Sequence, residues 1–241
     1  ERTRDPLLIA GIRGAQRDAL VAAGFDTIEK VAGLLRPIVR GLVEEPIPGV
    51  IYGGCVVMEG APTEGVSDEV EGITTQTLAR IAAQAAVQLD AAPGGPPRFR
   101  VVDPAVLAAL PPPDPGDLFF DFEGDPLYRE PGQGATARWG LDYLFGTVDA
   151  EQRFTPIWSH DLAAERRALE QFLALVEKRR RLYPGMHVYH YAPYERTHLL
   201  SIAARHGVGE AAVDRLLREH VLVDLYPIVR KALLVGSRSY S

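Results

Sequence analysis

The sequence predicts a mixed-sheet α/β domain preceded by a small, mostly helical one. Before residue 92 apolar residues recur at helical spacing, whereas after residue 117 they fall into short strand-like runs first and helices later. Between these regions lies a stretch bracketed by Ala92-Pro93-Gly94-Gly95-Pro96-Pro97 and Pro111-Pro112-Pro113-Asp114-Pro115-Gly116. Its stiff, donor-poor composition marks an interdomain connection. The expected division is 1–92, a connection over 93–116, and a second domain over 117–241.

Residues 5–35 read as a helical pair. Ala15 to Ala23 carries Ala19, Leu20 and Ala23 at helical spacing, and Gly24 supplies a left-handed stop. Asp26-Thr27 then caps a second helix, Ile28 to Leu35, with Glu29 well placed in its first turn. The segment 36–73 is rich in Gly and Pro, with Val50-Ile51-Tyr52 and Cys55-Val56-Val57-Met58 as strand candidates. Thr75 to Ala91 is helical again. Its stripe of Leu78, Ile81, Ala82, Ala85 and Leu89 is expected to pack on the helical pair.

The second domain opens with three strand candidates, Leu118 to Phe122, Leu141 to Val148 and Phe154 to Trp158, whose short connections predict a meander. A helix follows, capped by Ser159 or Asp161, with Leu169, Phe172, Leu173 and Val176 facing inward and a stop at Tyr183-Pro184-Gly185. A strand from His187 to Tyr191 comes next, then helices from Glu195 to about Arg205 and from Glu210 to Arg218. A strand from Val221 to Leu225 and a final helical turn complete the alternation of an α/β mixed sheet.

Composition narrows the functional classes. A content of 46% hydrophobic and 24% charged residues supplies core material for one large domain or two small ones. A net charge of −6 and a pI near 5.6 exclude coating of nucleic acid by bulk charge and leave only a local basic groove. The single Cys55 excludes an intrachain disulfide framework, an all-cysteine zinc site and a self-contained iron–sulfur cluster, in keeping with a reducing cytoplasm. No apolar run approaches the roughly 18 residues of a membrane span, and no signal segment opens the chain, so no membrane partner is expected. Glu1-Arg2-Thr3-Arg4 lacks an initiator Met, and Ser237-Arg238-Ser239-Tyr240-Ser241 lacks the character of a tail. The chain therefore reads as a piece of a longer polypeptide.

The most informative stretch is Leu118-Phe119-Phe120-Asp121-Phe122-Glu123-Gly124-Asp125-Pro126. Strand side chains alternate faces, so Asp121 and Glu123 share one face while Phe120 and Phe122 fill the other. Two unit charges about 6 Å apart repel by roughly 3 kcal/mol at an effective dielectric near 20 unless a cation or donor compensates. A divalent metal is the simplest compensation, although an exposed strand edge can carry such a pair without function. Two further acids have matching settings. Glu195 stands at the first turn of a helix just after the strand containing His190, and Asp224 ends the strand Val221-Leu222-Val223. Strand ends of this kind are where a sheet usually presents its chemistry.

Asp121-Phe122-Glu123, Tyr189-His190-Tyr191-Ala192-Pro193-Tyr194-Glu195 and Val223-Asp224-Leu225-Tyr226 together resemble the ribonuclease H-like, DEDD-type 3′ to 5′ exonucleases. Within them the resemblance is to the YprB-type branch of bacterial RecB-like nuclease and helicase fusions. It spans roughly residues 117–241 and implies a five-stranded mixed sheet with flanking helices, built around a two-metal nuclease site. Asp121 and Glu123 match the metal ligands of the first motif, and Glu195 stands where the second motif usually has Asp, on an arm one methylene longer. Asp224 resembles the strand acid that precedes the last motif. No acid follows it, so the fourth carboxylate of the pattern has no counterpart and the site of this fragment is expected to be incomplete. The resemblance further implies Mg²⁺ or Mn²⁺ as cofactor, in keeping with all-carboxylate ligation. It also implies DNA rather than RNA as partner, a role in DNA processing or repair, and covalently linked helicase or nuclease domains in the parent protein. Tyr191 and Tyr194 are placed to stack on a terminal nucleotide or to pack against the sheet edge.

The segment Ile9-Ala10-Gly11-Ile12-Arg13-Gly14-Ala15, followed by Ala22-Ala23-Gly24-Phe25-Asp26-Thr27-Ile28, resembles a helix-hairpin-helix motif, with Arg13 where the second hairpin Gly usually sits. The resemblance implies phosphate contacts from the backbone around Gly11 and Gly14, with charge added by Arg13 and Arg17; a plain helical packing unit fits the same residues. Lys178-Arg179-Arg180-Arg181 reads as the cationic end of a helix complementing its dipole. Glu195 and His198 fit a Glu-x-x-His pair, but the second copy that a di-iron bundle needs is absent from the sequence. His187 and His190, with no Cys nearby, do not suggest zinc. Three functional classes remain: first a metal-dependent nuclease, then a non-catalytic module that binds nucleic acid for a neighbouring helicase or nuclease, and last a redox metalloprotein using Glu195 and His198.

Overall fold

The computed structural model describes residues 4–35, 57–59, 66, 68–90, 97–130 and 139–240. Two compact units result, Glu1–Ala109 together with Ile228–Ser241, and Leu110–Pro227.

The first unit begins with helices α1 (Gly14–Ala22) and α2 (Ile28–Ala32). Gly24, at φ +90°, ends the first where an L side chain would be strained, and Thr27 Oγ1 accepts the Lys30 N–H to start the second. After strand β1 (Val57–Glu59) comes helix α3 (Thr75–Leu89), capped by Thr74. The predicted stripe packs as expected: Leu78, Ile81, Ala82 and Ala85 are buried against Ile9, Leu20, Ile28, Val31 and Leu34, while Leu89 at the helix end is exposed. Strand β2 (Phe99–Val101) and helix α4 (Pro104–Ala108) follow.

The second unit contains the meander β3 (Leu118–Arg129), β4 (Trp139–Asp149) and β5 (Phe154–Trp158), then helix α5 (Leu162–Leu182). Asp161, not Ser159, caps α5, its carboxylate accepting the Ala164 N–H at 2.6 Å. Strand β6 (Val188–His190), helices α6 (Tyr194–His206) and α7 (Glu210–Arg218), strand β7 (Leu222–Asp224) and helix α8 (Leu225–Ala232), whose residues from Ile228 on belong to the first unit, complete the order. The sheet runs β5-β4-β3-β6-β7, with β6 parallel to β3 and β7 parallel to β6. This is the mixed five-stranded sheet that was expected.

The core of this unit lies on one sheet face. Phe120, Phe122, Phe145 and Val188 meet Leu169, Phe172 and Val176 of α5, Leu199 and Ile202 of α6, and Val213 and Leu216 of α7. The Phe120 and Phe172 rings stack at 4.2 Å. Each large side chain so buried contributes about 1.5–3 kcal/mol relative to exposure, which is why the amphipathic stripes decide the side on which the helices lie. The opposite face of β3 carries Phe119, Asp121 and Glu123, in register with Val148, Gly146 and Leu144 of β4.

The stretch 93–116 contains β2 and α4. Strand β8 (Leu233–Val235) pairs antiparallel with β2 in a small sheet ordered β1-β2-β8, so the mostly helical first unit also carries short strands. Strands of three residues leave no alternation to read in the sequence, and their pairing joins distant parts of the chain. Of the early strand candidates, β1 overlaps the end of the second; Val50-Ile51-Tyr52 and Cys55-Val56 lie outside the described residues.

Candidate active site

Strand β3 presents Asp121 and Glu123 to solvent while Leu118, Phe120 and Phe122 alternate into the core. Glu195 reaches the same place from another direction. It sits in the first turn of α6, is only 2% exposed, and its carboxyl group is within hydrogen-bonding reach of Asp121. Burial first, then the bond to Glu195 and its charge, then the charge of Glu123, push the Asp121 carboxyl above the ordinary carboxylate range. Acids from two segments remote in sequence thus act electrostatically on one spot.

The turn between β6 and α6 makes this possible. Ala192 is left-handed at φ +73°, a conformation that costs a non-glycine residue about 1–2 kcal/mol. Two groups hold it there. Asp224 Oδ1 accepts the Ala192 N–H at 2.9 Å, and the Ala192 carbonyl lies 2.9 Å from His190 Nδ1. Asp224 also accepts the Tyr226 N–H at 2.9 Å. Its geometry is that of a residue fixing the turn that delivers Glu195. His190 is 4% exposed, with Nδ1 3.3 Å from Glu195 Oε2. Burial lowers the His190 pKa, but Glu195, the Ala192 carbonyl and the Asp224 charge outweigh it and leave it raised.

A cavity of about 420 Å³ opens on this face, lined by Phe119, Asp121, Glu123, Phe154, His190 and Tyr191 among others. Gly146 lies beside Asp121 in the sheet, and a Cβ there would come within 3.1 Å of the Phe154 ring, so glycine keeps this floor open. Phe119 and Phe154 are about half exposed, unusual for phenylalanines outside an interface.

The donor set suits a hard divalent cation. Asp121, Glu123 and Glu195 offer only carboxylate oxygens, and the buried Glu195 Oε2 faces only His190 Nδ1 at 3.3 Å, outside hydrogen-bond geometry. Among the described residues, however, no group of three or more His, Cys, Asp or Glu side chains stands in metal-binding geometry. The residues fit the ion chemically, and the cluster is looser than a closed coordination shell.

The other predicted residues divide. Tyr191 lines the cavity and meets Tyr226 edge to face at 5.4 Å. Tyr194 does not line it; its ring stacks on His198 at 3.7 Å and its hydroxyl lies 3.4 Å from Asp142 Oδ1. Burial and the Asp142 carboxylate push the Tyr194 phenol up to about 12. In the first unit, Gly11 lies in the turn before α1 at φ +80°, Gly14 opens α1, and Arg13 is its exposed N-cap. Arg17 is not available as expected, because its guanidinium holds the Asp5 carboxylate at 2.5 Å and Asp18 at 3.0 Å. The basic run is likewise engaged: Arg179 donates to the Gly116 carbonyl at 2.6 Å, Arg180 to Glu219 and Arg181 to Glu177. Glu195 and His198 do not share a ligand, since His198 Nδ1 is bonded to Asp142.

Sequence reading missed a buried polar network. Asp142, 2% exposed, takes His198 Nδ1 on both carboxylate oxygens at 2.8 and 2.9 Å. Fully buried Glu165 accepts the Asp142 N–H at 2.8 Å, Arg205 at 2.9 Å and His206 at 2.6 Å. These bonds tie β4 and α5 to α6, the helix that carries Glu195. One signal was legible: Asp142 interrupts an apolar strand much as Asp121 does.

A family profile described as RNase_H superfamily matches residues 118–241. No curated protein and no solved structure matches the chain. The matched stretch is half of the chain and carries the acid-bearing strand β3, the mixed sheet and the helix of Glu195; the chain belongs to the RNase H superfamily.

Proposed function

We propose that this chain carries the metal-dependent nuclease domain of a larger DNA-processing or repair protein of the cytoplasm, hydrolysing phosphodiesters from a 3′ end by two-metal chemistry. One observation carries the reading: Asp121 and Glu123 line an open cavity, and the buried Glu195 lies within hydrogen-bonding reach of Asp121, whose carboxyl pKa is raised. Perturbed carboxylates in a cleft are candidates for function. Membership of the RNase H superfamily supplies the nuclease-type context.

Asp121, Glu123 and Glu195 are the residues that would hold Mg²⁺ or Mn²⁺. When bound, such ions polarise the phosphate and supply an activated water at neutral pH. The chain itself contributes position. Asp224 and His190 fix the Ala192 turn and therefore the Glu195 carboxylate. Phe119, Phe154 and Tyr191 offer ring faces on which an unpaired base can stack.

The test is digestion of DNA labelled at either end, with Mg²⁺ or Mn²⁺ and then with EDTA. Metal-dependent shortening from the 3′ end, lost in Asp121→Asn, is expected; digestion unchanged by that variant, or none under any metal, would overturn the reading. RNA strands of the same sequence distinguish DNA from RNA specificity.

A second reading, a module that guides nucleic acid without cutting it, is favoured by the engagement of Asp224 with backbone N–H groups and by the lack of a closed ligand group among the described residues. It predicts salt-dependent DNA affinity that is indifferent to EDTA.

A further inference from the structure

We propose that the outer strand of the five-stranded sheet carries a second base-stacking subsite, centred on Trp158, which makes the acid face selective for an unpaired nucleic-acid strand over a duplex. The inference rests on the reading of Asp121 and Glu123 as the place where nucleic acid is engaged, and it names the form of strand engaged there.

The pairing registers lay the acid face out in three rows across β3, β4 and β5: Phe119–Val148–Phe154, Asp121–Gly146–Pro156 and Glu123–Leu144–Trp158. Directly paired residues share a face, and Ile157, between Pro156 and Trp158, packs against the core on the other side. The edge strand β5 thus sets rings beside both acids. Trp158 stands two strand spacings, about 10 Å, from Glu123, which is beyond the nucleotide at the acids and within reach of the next one along the strand.

Trp158 is 53% exposed, yet its ring is aligned with two others. Tyr143 lies within 7° of its plane at a centroid distance of 6.3 Å, and His160 within 9° at 6.4 Å. Tyr143 arrives there through a β-bulge: Glu123 pairs with Leu144 and Gly124 with Asp142, so Tyr143 is the extra residue. Bulges re-aim a side chain, and here the result is an aromatic surface broader than one indole. The core helices α5, α6 and α7 cover the opposite face, so core packing does not require it.

The chemistry of the face selects its occupant. A protein laid dry on Phe154 and Trp158 would also cover Asp121 and Glu123 and bury their charges unpaired, at a large desolvation cost. A nucleic-acid strand meets the acids through its cations and leaves its bases for the rings. Stacking needs an open base face, which the bases of a duplex have given to their neighbours. Apart from the acids and the Trp158 indole N–H, the three rows offer no side-chain donor or acceptor, so the strand is held without reading its sequence.

The test uses the full chain with Ca²⁺ and, in parallel, with EDTA, so that binding is read whether or not cleavage occurs. Trp139→Phe leaves Trp158 as the sole tryptophan, since the chain has two. Its emission is expected to be quenched by oligothymidylate and not by a blunt duplex of the same length. Anisotropy of a labelled oligonucleotide then compares the unaltered chain with Trp158→Ala, Trp158→Phe and Trp158→Leu, with melting temperatures as the folding control. Trp158→Ala should weaken single-strand binding by about 5- to 150-fold, the range for one lost stacked base, and leave duplex binding unchanged. Trp158→Phe should keep most of the affinity and Trp158→Leu should not. Absence of quenching under both conditions, equal quenching by the duplex, or binding by Trp158→Leu equal to that of the unaltered chain each overturns the proposal; if Trp158→Ala does not fold, the quenching result decides. A change in Trp158 emission with protein concentration alone, accompanied by a dimer in sedimentation, identifies a second copy as the occupant and also overturns it. The nuclease reading fails separately: quenching without metal-dependent digestion removes cleavage and keeps this subsite, whereas digestion by Trp158→Ala with unaltered strand preference does the reverse.

Discussion

Asp121 holds a carboxyl group raised by burial and by the Glu195 and Glu123 carboxylates beside it, an arrangement that costs the fold stability at neutral pH when no cation is present. Asp121→Asn is therefore expected to raise the melting temperature in EDTA at pH 7 while removing metal-dependent cleavage. Calorimetry paired with the digestion assay checks this; a lowered melting temperature would make Asp121 a fold residue. Asp5 is the opposite case. The hydrogen bonds from Arg17, then that from the Leu7 N–H, bring its carboxyl down to about 2 from 3.8. A depressed carboxylate contributes stability that is present above the unfolded value near 3.8 and is lost as pH falls through about 2. Carbon-detected NMR should find the Asp5 carboxyl titrating near 2, and returning toward 3.8 in Arg17→Ala.

Helix α6 is the element on which the site depends, because its first turn delivers Glu195 and its later turns are locked by buried ions. Glu165 of α5 receives Arg205 and His206 of α6 and the Asp142 N–H of β4. Removing one partner of a buried ion network leaves the other charges uncompensated, so Glu165→Ala should cost about 3–5 kcal/mol in urea unfolding. A cost below about 1 kcal/mol would mean that water replaces the carboxylate. At the entry to β3 a different constraint operates. A Cβ on Gly116 would fall 2.7 Å from Tyr183 Cγ and 2.8 Å from Met186 Cβ, so Gly116→Ala should destabilise by about 1–3 kcal/mol. The same unfolding experiment reads it.

For the whole molecule, the chain's last strand belongs to the unit that begins it. Leu234 of β8 is 1% exposed and packs with Ala83 and Val87 of α3, while β8 pairs with β2 in the register Phe99↔Val235. Deleting residues 233–241 should therefore loosen the first unit, seen as faster amide exchange at Phe99, Arg100 and Val101, with the amides of β3 and β4 unchanged. Unaltered exchange in β2 would show that β8 contributes nothing to it.

The sequence by itself determined the alternation of strands and helices in the second unit, the face that Asp121 shares with Glu123, and the capping of α2. All of these rest on periodicity and local hydrogen bonding, which act within a few residues. Tertiary structure decided the rest. The contact of Glu195 with Asp121, the diversion of Asp224 to the Ala192 turn, the withdrawal of Tyr194 and Arg17 into other partnerships, and the return of β8 to the first unit all join groups far apart along the chain. No local pattern encodes such meetings, since they arise only when burial of the apolar faces brings the elements together and leaves each polar group to find its partner.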